Sequence, residues 1–199
     1  MAIRIGISGW RYAPWRGVFY PKGLVQRREL EYASRLFPTI EINGSFYSLQ
    51  SAKSWQDWHD ATPDGFVFAV KGPRYVTHIL RLRDAETALA NFFSSGVLSL
   101  RRKLGPFLWQ FPPNFRYDRD RFAAFFAQLP RTMEAAVRVA MRHDPERMRG
   151  RHAWPEPAPE MALRHCVEIR HPSFESPDFV ALLREHDIGA VVADTAGKW

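Results

Sequence analysis

Six short apolar segments along the chain each end in polar and aromatic residues. In chain order they read IRIGISGW, TIEINGSFY, GFVFAVKGPRYVTH, GPFLWQFPP, HCVEIRHPSF and GAVVADTAG. Helical periodicity occupies most of the intervals between them. Buried strands that alternate with helices predict a parallel sheet, because parallel neighbours need a helical crossover. Ligand sites in such folds lie beyond the carboxyl ends of the strands, so the polar endings mark where a site is expected.

The same pattern predicts the extent of the individual elements. Strands are expected at 4–8, 39–43, 66–71, 106–110, 166–170 and 190–193. Helices are expected at 26–37 and 84–93, after Ser51, after Asp118, and from Ser176–Pro177, where a capping serine precedes a first-turn proline. Residues 143–160 contain four prolines and no periodicity, which predicts a mobile loop within a single domain of residues 1–199.

Composition adds three constraints. The chain has 199 residues, of which 46% are hydrophobic, enough for one domain with a real core. Its single cysteine, Cys166, lies in an apolar segment, so we expect core filler and no internal disulfide. No signal peptide or apolar span is visible, and we expect a soluble cytoplasmic protein that does not contact a membrane.

A net charge of +7 favours anionic partners, or else reflects an arginine-rich, solvated surface. Both interpretations remain open at this point.

Five of the segments together resemble a known family. GISGWRYAPWRGVFYP, EINGSFYSL, FAVKGPRYVTH, LWQFPP and EIRHPSF are similar to the YecE-like family, domain of unknown function 72. The resemblance implies a TIM-type (β/α) barrel and no established activity. A closed barrel has eight strands and typically about 250 residues. We therefore expect an incomplete barrel with about six of the eight β/α units.

Two groups of candidate ligand-binding residues follow the first two strands. Trp10, Arg11 and Tyr12 could stack a ring and pair with an anion, whereas the neighbouring aromatic residues are expected to pack. Glu41 and Asn43 alternate with isoleucines and so share one strand face. Lys71 is the expected partner of Glu41, in either a structural ion pair or a general base with a polarising cation.

Later strand ends supply further candidates. Lys71, Arg74 and His78 suit a phosphate or carboxylate group, and Gln110 suits a polar substrate contact or a bridge between strands. Glu168, Arg170 and His171 combine an acid/base pair with an anion clamp, and Asp194 is expected at the end of the sixth strand.

These residues predict acid/base chemistry by Glu168 and His171, with Glu41 as a second carboxylate. No metal or cofactor is expected, because metal-ligand spacings and Walker, GxGxxG and GxSxG motifs are missing. A divalent metal stays open as an alternative, with Glu41, Glu168, His171 and Asp194 as its candidate ligands.

Three functions remain open from the sequence. The first is an enzyme or binder of a small anionic or ring-containing ligand, such as a phosphorylated sugar or a nucleotide. The second is a nucleic-acid-binding or nuclease-like protein, and the third is an inactive remnant. The sequence does not indicate the oligomeric state.

Overall fold

Six parallel strands pair side by side in the order in which they occur along the chain. The structure, a computed structural model, describes residues 3–150 and 161–194. The strands are β1 (Gly6–Ser8), β2 (Thr39–Ile42), β3 (Val67–Lys71), β4 (Leu104–Gln110), β5 (His165–Glu168) and β6 (Ile188–Ala190). Sequential order with helical crossovers is the arrangement of a (β/α) barrel, so the predicted fold class is confirmed.

Four strands differ from the prediction by two residues or more at one end. Strand β1 begins at Gly6 instead of residue 4, and β5 ends at Glu168 instead of residue 170. Strand β4 begins at Leu104, two residues earlier than expected, and β6 begins at Ile188 and ends at Ala190 instead of spanning 190–193. The shift in β6 places its polar continuation beyond the last residue that pairs with β5.

Seven helices lie among the described residues. They are α1 (Glu29–Leu36), α2 (Gly44–Tyr47), α3 (Ala52–Asp60), α4 (Glu86–Ser94), α5 (Arg119–Gln128), α6 (Met133–Ala140) and α7 (Pro177–Glu185). The three predicted caps are present: Ser51, Asp118 and Ser176 each accept a hydrogen bond from a backbone N–H of the first turn, at 3.1, 3.1 and 3.2 Å. These bonds satisfy donors that the helix itself leaves unpaired.

Besides the 3-10 segments Ala13–Trp15, Val97–Lys103 and Pro172–Phe174, three helical segments were not predicted. Helix α6 starts after Thr132, whose hydroxyl accepts a hydrogen bond from the Ala135 N–H at 3.1 Å. The short α2 follows β2 directly, and a π-helical turn, Tyr75–Ile79, follows β3. Both short segments lie on the carboxyl-end side of the sheet, where they build the walls of the site.

The two faces of the sheet differ in polarity. One face packs against the helices: Ile40, Phe68 and Trp109 are fully buried there, and the Trp109 ring meets the Phe125 ring edge-on at 5.3 Å. The opposite face carries Glu41 and Lys71 and is only partly covered. Among the described residues, β1 and β6 each pair with one neighbour, so this polar face is open at both sides.

The predicted mobile loop 143–160 is described only in part. Residues 143–150 form turns in which Asn91 Oδ1 accepts a hydrogen bond from the Asp144 N–H at 2.9 Å and Met148 is fully buried. Residues 151–160 lie outside the described part of the chain. The mobility of this segment therefore stays a prediction.

Candidate anion-binding site

The turn after β1 connects the first two strands at the polar face. Gly9 has a left-handed backbone, φ 74°, which favours glycine, and its N–H donates to the Glu41 carbonyl at 2.9 Å. Asn43 Nδ2 then donates to Ser8 Oγ at 2.7 Å, and Ser8 Oγ donates to Glu41 Oε1 at 2.9 Å. The structure thus places Glu41 and Asn43 on one face and fixes both through Ser8.

Lys71, at the end of β3, lies between a carboxylate and an aromatic ring. Its Nζ is 3.9 Å from Glu41 Oε1 and 5.3 Å from the centroid of the Phe46 ring. The first distance is too long for a direct hydrogen bond, so Glu41 balances the charge without using the donors of the ammonium group. Lys71 therefore keeps hydrogen-bonding capacity for a further partner.

His78 lies on the other side of Phe46, which links the imidazole to Lys71. The two rings meet edge-on at 5.2 Å, and His78 Nδ1 is 2.8 Å from Thr77 Oγ1. Burial lowers the pKa of His78 below 6.5. In decreasing order, nearby positive charges on Arg74, Arg170, Lys71 and Arg81 lower it further. Cations from β3, from the segment after it and from the end of β5 therefore converge on one imidazole.

Arg81 is a site residue that sequence reasoning missed. Its guanidinium stacks on Phe115, 4.5 Å from the ring centroid, and donates to the Asn114 carbonyl at 3.1 Å. Arg81, Leu82 and Asp84 all have positive φ, 52°, 67° and 47°, a strained conformation for residues with side chains. The RLR motif at 81–83 was the available signal, although it gave only charge and no position.

Glu168 and Arg170 form the tightest ion pair of the polar face. Both Nε and Nη2 of Arg170 donate to Glu168 Oε1, at 2.9 and 2.6 Å, and both side chains are largely buried. Gln110 is also buried, and in the backbone register of β4 and β5 it lies opposite Glu168. The structure thus brings these three predicted residues together at adjacent strand ends.

The pKa of the Cys166 thiol is influenced by both carboxylates of the polar face. Burial raises the pKa of its thiol to about 12, and the negative charges of Glu41 and Glu168 add to this effect. The charges of both carboxylates therefore reach the same thiol on the polar face. The thiol stays protonated at neutral pH. It lies on the polar face and is only partly buried, so the expectation of core filler was wrong.

His171 faces a different environment from its expected partner Glu168. Its Nδ1 accepts a hydrogen bond from the Ser173 N–H at 3.0 Å and lies 2.9 Å from the Ser173 hydroxyl. An Nδ1 that accepts leaves the proton of the neutral ring on Nε2. His171 thus caps the turn that follows β5, and among the described residues no hydrogen bond joins it to Glu168.

The aromatic residues after β1 border a separate cavity. It measures about 250 Å³ and is lined by Trp10, Arg11 and Tyr12 together with Asn43 and Trp58. Trp10 is itself largely buried and meets Trp58 edge-on at 5.3 Å. Arg11 is exposed there, and its charge is not among those that act on His78.

Asp194 lies four residues beyond the end of β6 and is exposed. The expected position at the strand end was wrong, because β6 ends earlier than the apolar pattern indicated.

The described chain has neither a metal-binding cluster nor a membrane-spanning helix. In residues 3–150 and 161–194, no three side chains of the His, Cys, Asp and Glu types are grouped so that they could hold a metal ion. Within the same ranges, no helix is both long and apolar enough to cross a bilayer.

Comparison with known proteins decides the family. Residues 4–199 match the family described as "Protein of unknown function DUF72". The chain belongs to the DUF72 family. This membership confirms the resemblance that the five sequence segments indicated, and it comes with no established activity.

Similar proteins include one curated relative and one solved structure. The UPF0759 protein YunF of Bacillus subtilis (strain 168) is 31% identical over 126 residues, covering 61% of this chain and 44% of the relative. A crystal structure of a DUF72 family protein from Enterococcus faecalis V583 superposes with a TM-score of 0.63 at 18% identity, over 97% of this chain and 61% of that chain.

A second crystal structure of the Enterococcus protein gives a TM-score of 0.56 at 18% identity, with 83% of this chain and 58% of that chain covered. At this identity the likeness shows the fold alone. This DUF72 chain spans less than half the length of the curated relative and about three fifths of the solved one.

Proposed function

We propose that this DUF72 protein binds a small anionic ligand, such as a phosphorylated sugar or a nucleotide, at the carboxyl ends of β3 and β5. The observation that carries the proposal is that the charges of four cationic side chains from three chain segments act on His78, while the Phe46 ring contacts both Lys71 and His78. The members of this cation cluster are Lys71, Arg74, Arg81 and Arg170. Like charges gathered at one place repel each other, and a bound anion removes that cost.

Charge balance supports an anion of more than one negative charge. Two carboxylates, Glu41 and Glu168, pair with Lys71 and Arg170 in this region. Four cations against two carboxylates leave an excess of two positive charges. Arg74 is exposed and Lys71 contacts its carboxylate only at 3.9 Å, so both can turn donors towards a phosphate.

Any proton transfer at this site falls to the carboxylates. The charges of Glu41 and Glu168 both act on the Cys166 thiol, whereas His171 uses Nδ1 within its own turn. We therefore assign the proton-transfer role to Glu168 and Glu41. In the same proposal, His171 offers a ligand the N–H at Nε2. The remaining proposed ligand contacts are Trp10, Arg11, Asn43, Gln110 and Asp194. The proposed location is the cytoplasm.

Calorimetric titration with inorganic phosphate tests the binding proposal. Arg74→Met should weaken binding by about 1.5–3 kcal/mol, or roughly 10- to 150-fold, because it removes a charged hydrogen bond. Arg83→Met is the matched control, since Arg83 is an exposed arginine of the same connection that does not act on His78.

Equal phosphate affinity in wild type and Arg74→Met would contradict the proposal. So would tight binding of single-stranded DNA or RNA with a steep loss of affinity in salt and no saturable phosphate site. That result would favour nucleic acid as the partner.

A further inference from the structure

A cavity of about 510 Å³ opens beside the cation cluster and borders the π-helical turn. Its walls come from α2, from the turn Tyr75–Ile79, from α4 and from residues 144–147. This volume lies in the range that holds small organic ligands. None of the acid/base candidates lines it, so the site described above leaves it unassigned.

Two residues belong to both the cavity and the cation cluster. Arg74 lines the cavity and acts on His78. Phe46 also lines the cavity, and its ring contacts both Lys71 Nζ and the His78 imidazole. A ligand whose anionic group lies at the cluster therefore has the cavity next to it, since these two side chains border both.

The lining of the cavity suits a ring. Tyr47 and Tyr75 are exposed aromatic residues at its wall, and Leu49 and Pro73 add apolar surface. The Arg147 guanidinium lies 5.4 Å from the centroid of the Tyr75 ring. Flat aromatic and guanidinium surfaces bind rings by stacking, whichever ring is offered.

A buried amide supplies a polar contact in the same cavity. Asn91 is only 5% exposed and lines the cavity, and its Oδ1 is occupied by the Asp144 N–H at 2.9 Å. Within the described residues, its Nδ2 donates no hydrogen bond. Nδ2 is not one of the fully buried side-chain atoms that lack a partner, so it stays accessible and can donate to an acceptor atom of a ligand.

We infer that this cavity binds an aromatic or heteroaromatic ring that carries a hydrogen-bond acceptor and is joined to the anionic group held at the cation cluster. The inference rests on the proposed anion site and names its ligand class as a ring-bearing phosphate. The ring packs among Phe46, Tyr47 and Tyr75, and Asn91 Nδ2 donates to its acceptor.

The probes are methyl phosphate and phenyl phosphate, titrated by calorimetry against the full chain. Burying a phenyl ring corresponds to about 1.5–3 kcal/mol, so wild type should bind the phenyl ester roughly tenfold or more tightly than the methyl ester. Ala88→Phe fills the cavity from α4 and should reduce this preference to within about twofold, with unchanged affinity for methyl phosphate. Ala124→Phe adds the same side chain to an exposed position of α5 and should keep the preference.

The outcomes separate the inference from the proposal beneath it. Phosphate binding with equal affinity for the two esters overturns the ring cavity alone, as does an equal preference in Ala88→Phe and Ala124→Phe. No phosphate binding at all overturns the proposed function and the inference with it. If Ala88→Phe does not unfold cooperatively, Thr87→Phe fills the same cavity from an exposed position of its wall and decides the question.

Discussion

Protonation of one buried histidine should make the stability of this protein depend on pH. His165, on the helix-facing side of β5, is only 2% exposed. Its Nε2 lies 2.8 Å from the Pro130 carbonyl, and its Nδ1 accepts from Trp109 Nε1 at 3.2 Å. The ring therefore fits as a neutral imidazole that donates from Nε2, and a second proton on Nδ1 would face the Trp109 N–H.

The size of the effect follows from linkage. Burial, as the largest cause, lowers the pKa of His165 from 6.5 to about 4. Between these values the unfolded chain binds a proton that the folded protein does not, so stability falls as the pH falls from 6.5 towards 4. The loss between pH 7 and pH 5 is about 2 kcal/mol, and it approaches about 3.4 kcal/mol below pH 4.

Urea unfolding followed by tryptophan fluorescence at pH 7 and pH 5 measures this loss. His165→Gln is the comparison, because an amide can keep both hydrogen bonds without titrating. Carboxylates lose stability equally in the two proteins, so wild type should lose about 2 kcal/mol more than the variant over this interval. If the two proteins lose the same free energy to within about 0.5 kcal/mol, the assignment of a neutral, buried His165 is wrong.

Three further substitutions have defined expectations. Lys103→Met should destabilise the fold by about 2–3 kcal/mol in urea unfolding, because Lys103 Nζ donates to the carbonyls of His59 and Thr62, both at 2.6 Å. Thr132→Ala should cost about 1 kcal/mol in the same assay, since it removes the cap of α6. Glu168→Gln should tighten phosphate binding roughly five- to thirtyfold in calorimetry, because it removes about 1–2 kcal/mol of repulsion from the anion; weaker binding would show that Glu168 holds the site together.

The order and direction of the strands could be predicted because alternation of apolar segments with helices permits few topologies. The end of β6 could not be placed, because the apolar sequence continues to Ala193 whereas the register pairing with β5 stops at Ala190. Helix α6 was missed although its signal is present: Met133, Ala136 and Ala140 are buried at helical spacing after a capping threonine. Its short side chains made the apolar stripe hard to recognise.

Some residues of the candidate site could likewise be predicted from the sequence, and others could not. Lys71, Arg74, His78 and Arg170 were chosen for their positions at strand ends, and the fold brings them together because parallel strands end at the same edge. Arg81 depends on left-handed backbone geometry and on stacking with Phe115, which are tertiary features. His171 was chosen because it follows the end of the fifth strand and because histidine exchanges protons near neutral pH, and no sequence pattern showed that Ser173 would occupy its Nδ1.

Titration of His78 by NMR, with and without saturating phosphate, tests the central claim most directly. The His78→Gln variant assigns its imidazole signal among the seven histidines of the chain. Burial and the four surrounding cations hold the pKa of His78 below 6.5 in the free protein. A phosphate bound among those cations cancels their effect, so the pKa should rise on binding. Saturable phosphate binding that leaves the His78 pKa unchanged would contradict the account, because the anion would then lie away from the cation cluster.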